Sequence, residues 1–314
     1  MNKTVIKWIE QYLFFPNIFQ QFISICFLPL TVLYCIIITY KRLSAKLLRF
    51  DIPVISIGNL VIGGVGKTPL TIALAKDKKD VAIVLRGYGR KSKGVFVVSN
   101  RGKILEDVSV SGDEAYLLAQ SLPNSLVIVS ENRIDGIIKA RELGAKIVFL
   151  DDGYSSYNID KFNILIRPKE EPTNLFCLPS GGYRDTKMMY AFADMVLKDG
   201  EDFTRVVTFE KDGKIVETLP NNLVLVTAIS KSYRLLEYLP KDIKTEIFVD
   251  HYNFTQDDID LIRKKYPNDY IVTTEKDMVK LKHFKLDNIY LMKLDIKIKN
   301  SAKIDEYIVS YNGI

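Results

Sequence analysis

Histidine and cysteine are scarce in this chain, and their scarcity closes off several chemistries. Only His251 and His283 occur, which excludes a histidine-rich metal centre and lets each be weighed singly. The cysteines, Cys26, Cys35 and Cys177, show neither metal-ligand spacing nor a framework of disulfide partners, so a reducing, cytosolic setting fits. No internal repeat and no low-complexity tract is evident. Charge is missing altogether from Gln11 to Tyr40. What is present is a chain of 314 residues, 47% hydrophobic, enough for a real core and incompatible with global disorder. That length suits about two domains. A net charge of +6 suits an anionic partner without choosing between nucleic acid, membrane surface and phosphorylated ligand.

The uncharged stretch is densest from Phe22 to Tyr40, roughly the length that spans a hydrocarbon core of ~30 Å. Lys41, Arg42, Lys46 and Arg49 follow directly. A signal peptide has a shorter apolar core, a small-residue cleavage site and no basic cluster behind it. We therefore expect a membrane-associated N-terminal helical segment over residues 1–50, with the basic flank and all that follows in the cytoplasm. Pro29 lies inside the segment, so a kinked span, a helical hairpin and an interfacial helix all stay open, as does a buried core helix.

After Asp51 apolar strands alternate with helices. Strands are expected at Pro53–Gly58, Val81–Leu85, Leu126–Val129, Lys146–Leu150, Phe162–Ile166 and Ala193–Leu197, with helices near Lys67–Lys76, Gly112–Gln120 and Arg133–Leu143. The expected fold class is α/β, a P-loop NTPase-like parallel sheet covered on both faces, over 51–202. Phe203–Leu219 holds two β-rich runs around Lys211-Asp212-Gly213, a hairpin signal, and 203–220 reads as a β-hairpin linker. Residues 221–314 then form a smaller C-terminal α/β domain.

The strongest local signal is the loop Val61-Ile62-Gly63-Gly64-Val65-Gly66-Lys67-Thr68, between an apolar strand and a helix. A triphosphate needs several backbone N–H groups converging on its oxygens. Glycines permit that wrap, and the helix N-terminus adds positive potential. Lys67 supplies a charge for the β and γ phosphates, and Thr68 a hydroxyl for Mg²⁺. The usual first glycine of the motif would fall at Val61, leaving Gly63 and Gly64 to provide flexibility. Ile147-Val148-Phe149-Leu150-Asp151-Asp152 is an apolar strand ending in acids, the pattern that sets a carboxylate beside the Mg²⁺ of a P-loop. Arg133 opens a helix, either on a solvated face or as a phosphate clamp.

With these motifs, Arg86-Gly-Tyr-Gly89, Gly112-Asp-Glu114, Asn132-Arg133, Leu178-Pro-Ser-Gly181, Asp250-His251 and Thr274-Glu-Lys-Asp277 occur in order. The chain resembles the tetraacyldisaccharide 4′-kinases, the lipid A 4′-kinases of Gram-negative bacteria, from the N-terminal apolar segment to about residue 282. The absent first P-loop glycine also resembles that family. Tyr183-Arg184-Asp185 departs from its more usual Leu-Arg-Glu by a shorter acid.

The resemblance implies transfer of the γ-phosphate of ATP, with Mg²⁺, to the 4′-hydroxyl of a tetraacyldisaccharide 1-phosphate. It implies work at the cytoplasmic face of the inner membrane, with no nucleic acid and no obligatory protein partner. It also implies that Asp113 pairs with His251 to activate the sugar hydroxyl, and that Glu114 lies near the metal beside Thr68, Asp151 and Asp152. Without the family, Asp113-Glu114 is an acid pair at a helix start and His251 a loop histidine. A membrane-tethered NTPase switch is the competing P-loop class. It needs a water-positioning residue and a base-selecting loop, whereas an Asp–His pair suits a hydroxyl acceptor. A non-enzymatic ATP-dependent scaffold is a third class, marked by the lack of Mg²⁺-dependent turnover.

Overall fold

The strand that enters the glycine-rich loop, β1 (Val54–Asn59), is buried along its whole length, as a central strand covered on both faces must be. The computed structural model describes residues 3–229, 232–284 and 286–311. Before β1 come α1 (Lys3–Phe14), α2 (Ile18–Cys26) and α3 (Leu28–Leu43). After it run α4 (Lys67–Ala75), β2 (Val81–Leu85), β3 (Phe96–Asn100), β4 (Lys103–Ile104), α5 (Val108–Ser111) and α6 (Asp113–Ser121). Next are β5 (Leu126–Val129), α7 (Arg133–Glu142), β6 (Ile147–Asp151), β7 (Phe162–Arg167) and β8 (Met195–Lys198). The remainder comprises β9 (Phe203–Lys211), β10 (Lys214–Val216), β11 (Leu223–Thr227), β12 (Lys244–Ile247), α8 (Gln256–Lys265), β13 (Tyr270–Thr274), α9 (Glu275–Leu281), β14 (Ile289–Ile298) and α10 (Ala302–Tyr311).

The first sheet has the order β4-β3-β5-β2-β6-β1-β7-β8 and is parallel from β5 to β8. Its two apolar layers hold Ile55, Ile83 and Phe149 on one face and Val54, Val84 and Leu150 on the other. The second sheet has the order β10-β9-β14-β13-β11-β12, parallel from β14 to β12. The α/β class with a P-loop core is thus the observed architecture.

The hairpin expected as a linker belongs to this second sheet. Asp212 and Gly213, both at positive φ, make its turn, and β9 pairs antiparallel with β14 from Phe203 opposite Ile298 to Glu210 opposite Leu291. The last helix of the expected C-terminal unit instead packs on the first sheet. Ile304 is buried in that core, and the Tyr307 hydroxyl donates to the Val54 carbonyl at 3.3 Å.

The N-terminal helical segment, for which composition leaves a kinked span, a hairpin and an interfacial helix all open, is three helices. Pro16 and Asn17 divide α1 from α2, and Asn17 with Gln20 makes a reciprocal capping box. Phe27 and Pro29 divide α2 from α3, with the proline in the first turn, where its missing N–H costs nothing. No single helix among the described residues is long and apolar enough to cross a membrane; α2 and α3 together, bent by 58°, meet the length and composition of a span. All three rest on the loop 174–185. The Tyr12 hydroxyl donates to Pro179 O at 3.0 Å, Thr31 Oγ1 to Ser180 Oγ at 2.7 Å and the Tyr34 hydroxyl to Arg184 O at 2.9 Å. Leu178-Pro-Ser-Gly181, mute in the sequence, is part of this seat.

Candidate active site

β1 delivers the chain into the loop, and Gly66, at φ +92°, turns it into α4. The residues from Ile62 to Thr68 line a cleft of about 1380 Å³. Val61 does not join them. It is buried, bridged to Tyr183, and its carbonyl accepts from Asn59 Nδ2, so the position that lacks the family glycine is part of the scaffold beneath the loop. Lys67 Nζ lies 3.2 Å from Asn59 Oδ1 and 3.7 Å from Asp152 Oδ1.

β6 ends in two acids with different partners. Asp151 accepts from Thr68 Oγ1 at 2.8 Å and from Thr71 Oγ1 at 3.3 Å. Burial, reinforced by the Glu114 carboxylate, pushes its pKa up to about 6. Asp152, at φ +52°, turns toward Lys67 and Arg184. Burial raises its pKa, but these cations outweigh that and hold it below the ordinary carboxylate value. Arg133 lies beneath both, donating to the carbonyls of Ser130 at 2.9 Å and Asp151 at 3.2 Å. Burial draws its pKa down to about 10, and no described residue partners its Nε.

Across the cleft, the structure brings Asp113 and His251 together. Asp113 begins α6, buried, and His251 Nδ1 lies 3.0 Å from its Oδ2 and 3.1 Å from its Oδ1. His251 follows the second sheet at φ +61°, its N–H bonded to Ala228 O at 3.1 Å, and Tyr88 packs on its ring with centroids 5.0 Å apart. The Arg86-Gly-Tyr-Gly89 loop can sit this close because Gly112 has no side chain: a Cβ there would lie 2.8 Å from Tyr88 O.

Two residues of this cluster had no role from sequence reasoning, although Lys276 lies in the Thr274-Glu-Lys-Asp277 motif. Lys276 Nζ is 3.1 Å from His251 Nε2 and 3.3 Å from Glu114 Oε1, and Lys280 Nζ is 3.0 Å from Asp113 Oδ2. Both project from α9, whose start is fixed by Asp277. That buried carboxylate accepts from Thr227 Oγ1 at 2.6 Å, Thr274 Oγ1 at 2.8 Å and Ala228 N at 3.2 Å. The available signals were the Thr274-Glu-Lys-Asp277 motif and the i, i+4 spacing of the lysines behind Thr274, which places them on one helix face but names no partner. An ammonium has no acceptor, so His251 Nε2 must receive the Lys276 hydrogen bond and Nδ1 must carry the proton toward Asp113. Burial raises the Asp113 pKa, but the His251 hydrogen bond and the two lysines reverse this and hold it well below the usual range.

A glycine-rich strand-to-helix loop with its lysine, a threonine bonded to a strand-end aspartate, and a parallel sheet behind them define a P-loop enzyme. A sequence model for the family described as tetraacyldisaccharide-1-P 4′-kinase matches residues 23–311. The chain is 56% identical over 314 residues to the tetraacyldisaccharide 4′-kinase of Aliarcobacter butzleri, covering 99% of this chain and 100% of that one. It is 42% identical over 309 residues to the Helicobacter acinonychis protein of the same name, covering 97% and 96% respectively. A crystal structure of LpxK from Aquifex aeolicus in complex with ATP matches with a TM-score of 0.73 at 27% identity, covering 92% of this chain and 99% of that one. The chain belongs to the tetraacyldisaccharide 4′-kinase family.

Proposed function

We propose that the protein transfers the γ-phosphoryl group of ATP to the 4′-hydroxyl of a tetraacyldisaccharide 1-phosphate, giving the 1,4′-bis-phosphate of lipid A biosynthesis. The observation that carries this reading is the Asp113–His251 pair, whose His251 lines the same cleft as the phosphate loop with the buried Asp113 bonded behind it. A P-loop alone serves many reactions, whereas a paired carboxylate and imidazole opposite it suits an alcohol acceptor. Asp113 accepts the hydroxyl proton, and His251, protonated at Nδ1, orients that carboxylate. An acid held so firmly ionised is a weak base. Phosphoryl transfer passes through a loose transition state, so the hydroxyl needs positioning more than early deprotonation.

Mg²⁺ suits the residues present. Thr68 Oγ1 and the Asp151 carboxylate are hard oxygen donors already in contact, and a buried acid pushed up in pKa is one a cation would favour. Glu114 completes the protein's share. Among the described residues no three His, Cys, Asp or Glu side chains form a ready cluster, which matches an ion that keeps most of its shell for water and phosphate. When bound, it would neutralise charge on the β and γ oxygens. Asp152, paired with Lys67 and Arg184, orients those cations rather than binding the metal. Lys67 stabilises the transferring phosphoryl, and Arg133 braces Asp151 through its carbonyl.

The N-terminal helices attach the protein to the cytoplasmic face of the inner membrane by lying in its interface. Their outward surface is apolar, with Ile18 87%, Phe19 67%, Phe22 64% and Leu43 81% exposed, while the opposite side is seated on the loop 174–185. That geometry suits capture of a lipid-anchored acceptor.

The test is to supply ATP, Mg²⁺ and the disaccharide 1-phosphate glycolipid in detergent and look for the bis-phosphate. ATP turnover that ignores the glycolipid would favour the NTPase-switch class and overturn this assignment.

A further inference from the structure

A side chain of the second sheet, at the wall of the same cleft, holds the phosphate loop. Arg205, on β9, donates from Nη2 to the Val65 carbonyl at 2.8 Å. Its Nε and Nη2 meet Asp199 Oδ2 at 2.9 and 2.8 Å, and Asp199 is itself buried. The fit is close: a Cβ on Gly66 would lie 2.9 Å from Arg205 Nη2. A second arginine, Arg234, reaches the Gly64 carbonyl at 3.3 Å.

The planarity of the peptide gives this contact a consequence. In a trans peptide the C=O and the following N–H point in opposite directions. Holding the Val65 carbonyl toward Arg205 therefore turns the Gly66 N–H away from that side chain, and holding the Gly64 carbonyl toward Arg234 does the same for the Val65 N–H. These are the groups that a phosphate-binding loop aims at its ligand. Glycine-rich backbone is free to point them elsewhere, so a fixed donor on the carbonyls removes alternatives that binding would otherwise have to exclude.

We propose that Arg205, aimed by Asp199, is a positioning residue that presets the phosphate-binding backbone through its hydrogen bond to the Val65 carbonyl. It acts through the Val65–Gly66 peptide and not by contact with the reacting groups. The inference rests on the nucleotide-site reading above and adds a requirement to it: the second sheet must be in place for the loop to be shaped.

The experiment measures ATP, ADP and adenosine binding to the full chain in detergent, alongside thermal unfolding, for wild type, Arg205→Met, Arg205→Lys and Asp199→Asn. Arg205→Met is expected to weaken ATP and ADP alike by roughly tenfold, the factor of a lost charge-assisted hydrogen bond, and to leave adenosine unchanged. Added ethylguanidinium should recover part of the loss. Arg205→Lys and Asp199→Asn, which retain a cation or the arginine, should lose less in the same direction. Should Arg205→Met fail to fold, these two variants carry the comparison. Nucleotide affinities unchanged in folded variants overturn the inference, as does an equal loss for adenosine, which would mark a general disturbance. Wild-type protein that binds neither ATP nor ADP removes the nucleotide-site reading itself, and this inference with it.

Discussion

At Asp151, burial and the Glu114 carboxylate push in the same direction, and with the resulting pKa of about 6 the proposed metal binding would register as proton traffic. The folded protein holds more protons than the unfolded chain between the ordinary aspartate value and about 6, so this group's contribution to stability declines as pH rises through that window. A cation at Thr68 and Asp151 must displace that proton. Calorimetry of Mg²⁺·ATP binding in buffers of different ionisation enthalpy should show close to one proton released at pH 5 and almost none at pH 8. Equal release at both would remove Asp151 from the metal. For Asp113 and His251, each alanine variant should lower kcat far more than it changes ATP affinity, and the double variant should be little worse than the poorer single one. Losses that multiply would mean two independent residues. Lys276→Met leaves both dyad members in place but removes the donor to His251 Nε2, so it should lower kcat while the KM for ATP holds.

Among the elements, those with strong periodic patterns were legible and those defined by partners were not. The buried runs of β1, β2, β5 and β6 appear within a residue or so of their expected limits, because a doubly covered parallel strand must be apolar throughout. β3 and β4 escaped notice. They form the antiparallel edge of the sheet, where half-exposed residues replace a continuous apolar run. The N-terminal segment was legible as apolar but not as three docked helices, since hydropathy does not reveal which face meets Ser180 and Arg184. This separation of faces can be tested directly. Replacing Phe19, Phe22 and Ile25 together by serine should release the protein from anionic vesicles in a flotation assay without lowering its melting temperature, because all three point outward. Retention on the vesicles would place the attachment elsewhere. The start of α9 is a different kind of element, a helix fixed by one acid. Asp277→Ala leaves Thr227, Thr274 and Ala228 without their acceptor, and should cost about 1–3 kcal/mol of stability in denaturant unfolding. Kcat should fall with it, since the same cap aims Lys276 and Lys280.

For the molecule as a whole, the candidate site is assembled from both sheets, and that is why sequence reasoning reached only part of it. The phosphate loop and the strand-end acids are local patterns, readable wherever a strand meets a helix. The meeting of Asp113 with His251 was carried by family resemblance alone, Lys276 and Lys280 had a motif and a spacing that named no partner, and Arg205 had no local pattern to betray it. The chain crosses between the two sheets on one two-stranded ribbon. The chain passes outward along β9 and home along β14, and these strands are immediate neighbours from Phe203 and Ile298 onward. A body attached in this way has both its ends at one spot, like an insert spliced into a host chain. The host's own sequence resumes with α10, which completes the core beneath β1. Joining residue 202 to 299 with a short turn should therefore yield a protein that still folds, at lower stability because Phe203 and Ile296 leave the first core, keeping the sheet and the acids of β6 but not the loop's preset shape. It would lack His251, both lysines and Arg205, a catalytic half without its lid. Circular dichroism and cooperative melting of that shortened chain would check the expectation, and a molten product would show that host and insert cannot be parted.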